Sequence, residues 1–149
     1  MSKVKDYIYR PEFECMTRSE MENLQSERLR KTVELVYNNC KPYRAKMDEA
    51  KLKPSDIKSV SDLCKLPFTV KHDLREAYPF GFYSAPQRDI VEIHASSGTT
   101  GKLTVVGYTQ NDIDVWAEVA ARGLAMAGVT KDSLVHVAYG YGQIGRAHV

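Results

Sequence analysis

The chain is poor in cysteine, in net charge and in long apolar runs, and each shortage excludes a class of protein. Its 149 residues include three cysteines, Cys15, Cys40 and Cys64, with no Cys-x-x-Cys pair. An odd, scattered set argues against a secreted disulfide framework and favours a reducing cytosol. No window approaches the ~18 consecutive apolar residues of a membrane-spanning helix. The opening MSKVKDYIYR also lacks the apolar stretch of a signal peptide. A cytoplasmic protein without a membrane partner is the expectation. Lys and Arg total 21 against 19 Asp and Glu, a net charge of +2, which makes no electrostatic case for nucleic acid or an anionic membrane. Residues 1–75 carry 16 basic and 12 acidic side chains, and residues 76–149 carry 5 and 7. No run of five like charges occurs, so solvated helix faces account for the excess. The four histidines, His72, His94, His136 and His148, form no His-Glu-x-x-His or paired metal spacing. His94 and His136 fall on predicted strands and read as structural histidines, and no metal ligands are expected.

What is present suits a folded, soluble protein: 43% hydrophobic and 27% charged residues, a length for one domain or part of a larger one. The first half reads as helices punctuated by proline. Thr17 and Glu20 have capping-box spacing, followed by Met21, Leu24, Leu29, Val33, Val36, Tyr37 and Cys40 at helical intervals, until Pro42 ends the pattern. Cys40 on that stripe reads as a small buried hydrophobe. Shorter helical pieces are expected at Tyr43–Ala50, Pro54–Ile57 and Ser59–Cys64. Another should be capped by Thr69 and run to about Tyr78. The second half changes character. Ile90–His94 and Leu103–Tyr108 are β-branched runs. Thr109 is placed to cap a helix with the stripe Ile113, Trp116, Ala120, Leu124 and Ala127, and Gly128 to end it. Leu134–Ala138 reads as a buried strand. Strand, helix, strand is the grammar of an α/β layer fold.

Between the first two strands lies Ser96-Ser97-Gly98-Thr99-Thr100-Gly101-Lys102. Glycines let successive amides converge on one concavity, hydroxyls add donors without bulk, and a lysine adds charge: the requirements of a phosphate-cradling loop. The same composition also suits a flexible connector, and both readings stay open on the residues alone. The spacing is not that of a Walker A loop, which needs four residues between its glycines and a helix directly after.

The loop resembles the phosphate loop of the adenylate-forming acyl-CoA ligases, and its surroundings resemble the phenylacetate-CoA ligase family in particular. Leu66-Pro67-Phe68-Thr69, Lys71, Asp73-Leu74-Arg75 and Tyr78-Pro79-Phe80-Gly81 precede it in that family's order. Val105-Val106-Gly107-Tyr108-Thr109, Asp112, Trp116, Ala121-Arg122 and Tyr139-Gly140-Tyr141-Gly142 follow. The likeness runs from about Tyr7 to Gly142, with Leu103 standing where the family usually has proline. The resemblance implies two-step chemistry: an aryl acid is activated by ATP to an acyl-adenylate, then transferred to coenzyme A. It implies that Ser96, Ser97, Gly98, Thr99, Thr100, Gly101 and Lys102 bind the ATP phosphates, with Mg2+ bridging phosphate oxygens. Tyr139 would line the acid pocket, or, on the residues alone, pack at a strand end. The implied partners are small molecules, with a homodimer left open. The catalytic residues of the family lie in later elements that this chain does not contain. A ligase for another carboxylic acid, or a non-catalytic phosphate-binding module, are the alternatives.

Gly140-x-Gly142-x-x-Gly145 imitates a dinucleotide fingerprint, but no following helix or acidic residue ~20 positions on accompanies it. Ile144–Val149 reads Ile-Gly-Arg-Ala-His-Val, the translation of one frame of a common sequencing-adapter start, so 143–149 is expected to be a non-native tail. The expected organisation is an α/β fold in truncated form. A helical lead segment (1–88) comes first, then the opening strands and helix of the large domain of an adenylate-forming ligase (89–142).

Overall fold

A computed structural model describes residues 8–96 and 103–138. A four-residue helix, α1 (Pro11–Glu14), leads into the long α2 (Arg18–Asn39). The start of α2 is fixed as its sequence requires. The Glu20 N–H donates to Thr17 Oγ1 (3.3 Å), and the Glu20 carboxylate accepts the Thr17 N–H (2.8 Å), so two otherwise orphaned amides are satisfied. Pro42 sits in the first turn of α3 (Lys41–Glu49), where a missing N–H costs nothing. One proline therefore separates α2 from α3 and starts the second.

Val33 of α2, Met47 of α3 and Ile57 are fully buried together, with Leu29, Tyr37, Tyr43, Leu52 and Leu66 packed around them. Cys40 is 2% exposed, and burial pushes its thiol pKa up, as a packed rather than reactive cysteine requires. Two 3-10 turns, Pro54–Asp56 and Val60–Lys65, close over this helical pair. The Val60 N–H donates to Ser26 Oγ (3.0 Å) and Arg30 Nη1 to the Lys58 carbonyl (2.8 Å). The next helix, α4 (Lys71–Glu76), is shorter than expected, and its cap is Val70 rather than Thr69. The Asp73 carboxylate reaches back to the Val70 N–H (2.8 Å) and does the capping from inside the helix.

After a 3-10 turn (Gln87–Asp89), β1 (Ile90–Ala95) pairs antiparallel with β2 (Val105–Thr109), His94 opposite Val106 and Ala95 opposite Val105. Thr109 then caps α5 (Gln110–Met126). The Asp112 N–H donates to its hydroxyl (3.3 Å), and the Asp112 carboxylate accepts the Thr109 N–H (2.8 Å). Gly128 takes φ +86° and ends the helix as expected.

Two expectations are corrected here. Leu134–Ala138 forms no strand: the segment is exposed throughout, because no neighbouring strand among the described residues offers it a ladder. The sheet they form is a hairpin followed by a helix, not strand, helix, strand. The buried side of α5 matches the expected stripe only in part. Ile113 is half-buried and Trp116 packs on His94 and Tyr108, but Ala125 is buried and Ala121 and Arg122 half-buried, whereas Ala120, Leu124 and Ala127 are exposed. Apolar residues cover most of the circumference of α5, so spacing alone could not select its inward face.

Candidate functional site

The hairpin places the candidate loop at its tip, and the two stems meet at a closed neck. The Ser96 N–H donates to the Thr104 carbonyl (3.0 Å), and the Thr104 N–H donates to Ser96 Oγ (3.1 Å). The first bond continues the β1–β2 ladder one step past the strands, and the second ties the Ser96 side chain across the same step. Of the expected phosphate-binding residues, Ser96 alone is described; Ser97, Gly98, Thr99, Thr100, Gly101, Lys102 and Tyr139 lie outside the described residues. Ser96 uses its oxygen as the acceptor for Thr104 and keeps its O–H to donate. Its neighbour Thr104, read from the sequence only as part of a β run, is 9% exposed. Its Oγ1 is buried and reaches no hydrogen-bond partner.

The stems are held from both sides. On β1, Glu92 and His94 share one side of the strand, and the Glu92 carboxylate bonds His94 Nε2. The imidazole packs against Tyr108 of β2 (ring centroids 4.9 Å) and Trp116 of α5 (5.7 Å). His94 is thus the structural histidine expected; His136 is exposed and belongs to no strand. On β2, Gly107 lies against Tyr83, whose ring and hydroxyl would stand 2.6 Å from any Cβ there. Burial pushes the Tyr83 phenol up, and its hydroxyl has no partner. Further back, α1 is tied to α5. Phe13 lies under the guanidinium groups of Arg10 (4.9 Å), Arg122 (5.0 Å) and Arg28 (5.9 Å). Glu118 pairs with Arg122 and with Arg10 (3.4 Å). Such stacking favours arginine, whose planar cation packs on a ring face.

Among the described residues, no group of three or more His, Cys, Asp or Glu could hold a metal ion, and no helix is long and apolar enough to cross a membrane. At the neck the Ser96 and Thr104 N–H groups are both engaged across the hairpin, and the Ser96 O–H is the donor left over.

No model of a known protein family matches the chain. Individual proteins do. It is 49% identical over 135 residues to phenylacetate-coenzyme A ligase of Thermus thermophilus, an overlap of 91% of this chain and 30% of that protein. It is 53% identical over 123 residues to phenylacetate-coenzyme A ligase of Escherichia coli, covering 83% and 28%. Among solved structures it resembles 2-hydroxyisobutyryl-CoA ligase in complex with 2-HIB-AMP and CoA in the thioesterification state. The TM-score is 0.71 at 30% identity, over 82% of this chain and 27% of that one. An open conformation of the same ligase matches with a TM-score of 0.69 at 30% identity, over 82% and 29%.

The helical lead, the hairpin and the capped helix are therefore the fold of the N-terminal part of an adenylate-forming CoA ligase. Within that class, the chain belongs to the phenylacetate-CoA ligase family. It spans about 30% of the length of the curated relatives it matches.

Proposed function

We propose that this chain is the phosphate-binding part of a ligase that activates phenylacetate, or a related aryl acid, for transfer to coenzyme A. The single observation that carries the reading is identity near one half, over 80–90% of this chain, to phenylacetate-CoA ligases of several bacteria. In the first step a carboxylate oxygen attacks the α-phosphorus of ATP, and pyrophosphate leaves with the electrons of the broken P–O bond. In the second the thiol of coenzyme A attacks the acyl carbon, and AMP leaves. Ser96, Ser97, Thr99, Thr100 and the backbone at Gly98 and Gly101 would hold the β- and γ-phosphates, with Lys102 offsetting charge as pyrophosphate departs. Tyr139 would line the acid pocket. Mg2+ would be expected to accompany the ATP phosphates and to neutralise part of their charge. The catalytic residues would lie outside this chain, which alone is expected to be inactive. The division into a helical lead (1–88), an α/β start (89–142) and a non-native tail (143–149) belongs to the same proposal, as does a cytoplasmic location.

The test joins this chain to the remainder of the Thermus thermophilus relative and follows acid-dependent pyrophosphate exchange, which reports adenylation without coenzyme A. Lys102 adds one mobile charge to phosphates already held by amides and hydroxyls. Lys102→Ala should cost about 1–3 kcal/mol of transition-state stabilisation, the scale of one charge-assisted hydrogen bond. Gly98→Val should harm exchange more, since a branched side chain intrudes where the backbone must approach. Exchange by Gly98→Val at the unmodified rate would make the loop a connector. Exchange with 2-hydroxyisobutyrate but not phenylacetate would instead favour the acid named for the structural neighbours.

A further inference from the structure

Among the described residues are four glycines, and three of them are explained by this chain. A Cβ at Gly81 would stand 2.7 Å from the Ala77 carbonyl oxygen, one at Gly107 2.6 Å from Tyr83, and Gly128 takes φ +86°. Gly123 differs. It is exposed in the interior of α5, and a Cβ built there meets nothing within 4 Å beyond the backbone of its own helix. Glycine inside a helix is less stable than alanine, because its backbone loses more freedom on folding. Nothing among the described residues offsets that cost.

The surroundings of Gly123 on α5 point outward. At 3.6 residues per turn, Val115, Met126, Val119 and Gly123 follow one another around the helix within about 80°. Val115, Val119 and Met126 are 55%, 57% and 81% exposed. The strip is bounded on one side by Arg122, packed on Phe13, and on the other by Trp116, packed on His94 and Tyr108. Asp112, at its beginning, is engaged in the cap with Thr109. Beyond the first turn the strip is therefore apolar, with bare backbone at Gly123.

We propose that this strip is an interface buried by the later part of the same ligase polypeptide, with Gly123 as the point where a neighbouring backbone comes closest. The occupant follows from length. The chain has the fold of the N-terminal part of such a ligase and spans 30% and 28% of its relatives, so most of the polypeptide lies beyond the matched region. A segment of the same polypeptide is held nearby at high effective concentration, whereas a second copy must offset lost translational and rotational freedom. Three apolar side chains between two occupied edges also fall far short of the roughly 20–30 residues a side of a stable dimer interface. The inference rests on family membership and not on the acid proposed above.

The test uses thermal melts of the joined full-length ligase. At a water-facing site Gly123→Ala would raise Tm, since alanine is the better helix former. At a close-packed site the added methyl group displaces its neighbour, so Gly123→Ala should lower Tm by about 1–4 °C and Gly123→Leu by more. Val119→Lys with Met126→Lys should lower Tm as well, by burying charge. A Tm for Gly123→Ala at or above that of the parent overturns the proposal, as does a parental Tm for the lysine pair. Light scattering on the same proteins reads the alternative: a dimer converted to monomers by the lysine pair would make the occupant a second copy, which also overturns it. Phenylacetate-dependent pyrophosphate exchange by the parent is a separate readout. A folded but inert parent would end the substrate reading and leave the Tm comparison intact.

Discussion

A Cβ built at Gly107 would stand 2.6 Å from the Tyr83 ring and hydroxyl, closer than any real contact, so the two residues specify each other. Gly107→Ala should destabilise the full-length protein by about 1–3 kcal/mol, the usual cost of overpacking. Combining it with Tyr83→Leu should cost less than the sum of the two, which a double-mutant thermal series reads directly. Asp62 is a second residue whose surroundings decide its behaviour. Its carboxylate pairs with Lys65 (2.7 Å) and accepts the Lys58 and Ser59 N–H groups (2.9 and 3.1 Å), Lys65 contributing most to lowering its pKa from 3.8 to about 2. A carboxyl whose folded pKa is depressed stabilises the fold above its unfolded value and loses that contribution as pH falls through the folded value. The Ser59–Lys65 turn should therefore hold at pH 4 and weaken toward pH 2. NMR titration of the labelled Asp62 carboxyl checks this, and a midpoint at the ordinary carboxylate value would remove the basis of the expectation.

At the scale of elements, what was legible in the sequence was what local chemistry decides. The Thr17–Glu20 and Thr109–Asp112 boxes both formed at their expected places, because a hydroxyl and a carboxylate three residues apart satisfy amides of their own first turn. Thr109→Ala should accordingly lower stability by about 1 kcal/mol, the typical cost of losing an N-cap. A melt of Thr109→Ser at the parental temperature would assign that loss to the hydroxyl. Where the deciding partner is distant, the reading erred. Thr69 has the cap chemistry, but Asp73 supplied it at Val70. Leu134–Ala138 has strand composition and no strand beside it. In α5 the apolar residues run nearly all round, so the inward side was set by what packs there, Arg122 against Phe13 included, and not by periodicity. At the candidate site the loop was legible as a motif. The burial of the Thr104 hydroxyl without a partner was not, since it leaves no trace in residue order.

For the whole molecule, the surface of the second half decides how the isolated chain behaves. Val115, Trp116, Val119, Leu124 and Met126 are 40–81% exposed on one helix, and Leu134, Val135 and Val137 add further exposed apolar area close by in sequence. A helix apolar over most of its circumference is ordinarily covered over most of it, and exposed apolar surface of this kind drives association. The sheet among the described residues has two strands, and a lone hairpin is marginally stable in water. The first half is better provided, with a core of Val33, Met47 and Ile57 closed by directed hydrogen bonds. The isolated 149-residue chain should therefore aggregate through its second half, bind apolar dyes and melt without a sharp transition, while the same residues joined to the rest of a ligase should not. Val119→Lys with Met126→Lys should raise the soluble fraction of the isolated chain, because both sites lie on the uncovered side of α5 and neither supports the loop neck. Light scattering and a thermal melt decide the matter. A monomer with one cooperative transition would mean that this surface is tolerated in water, and that the second half draws its stability from contacts other than those of α5.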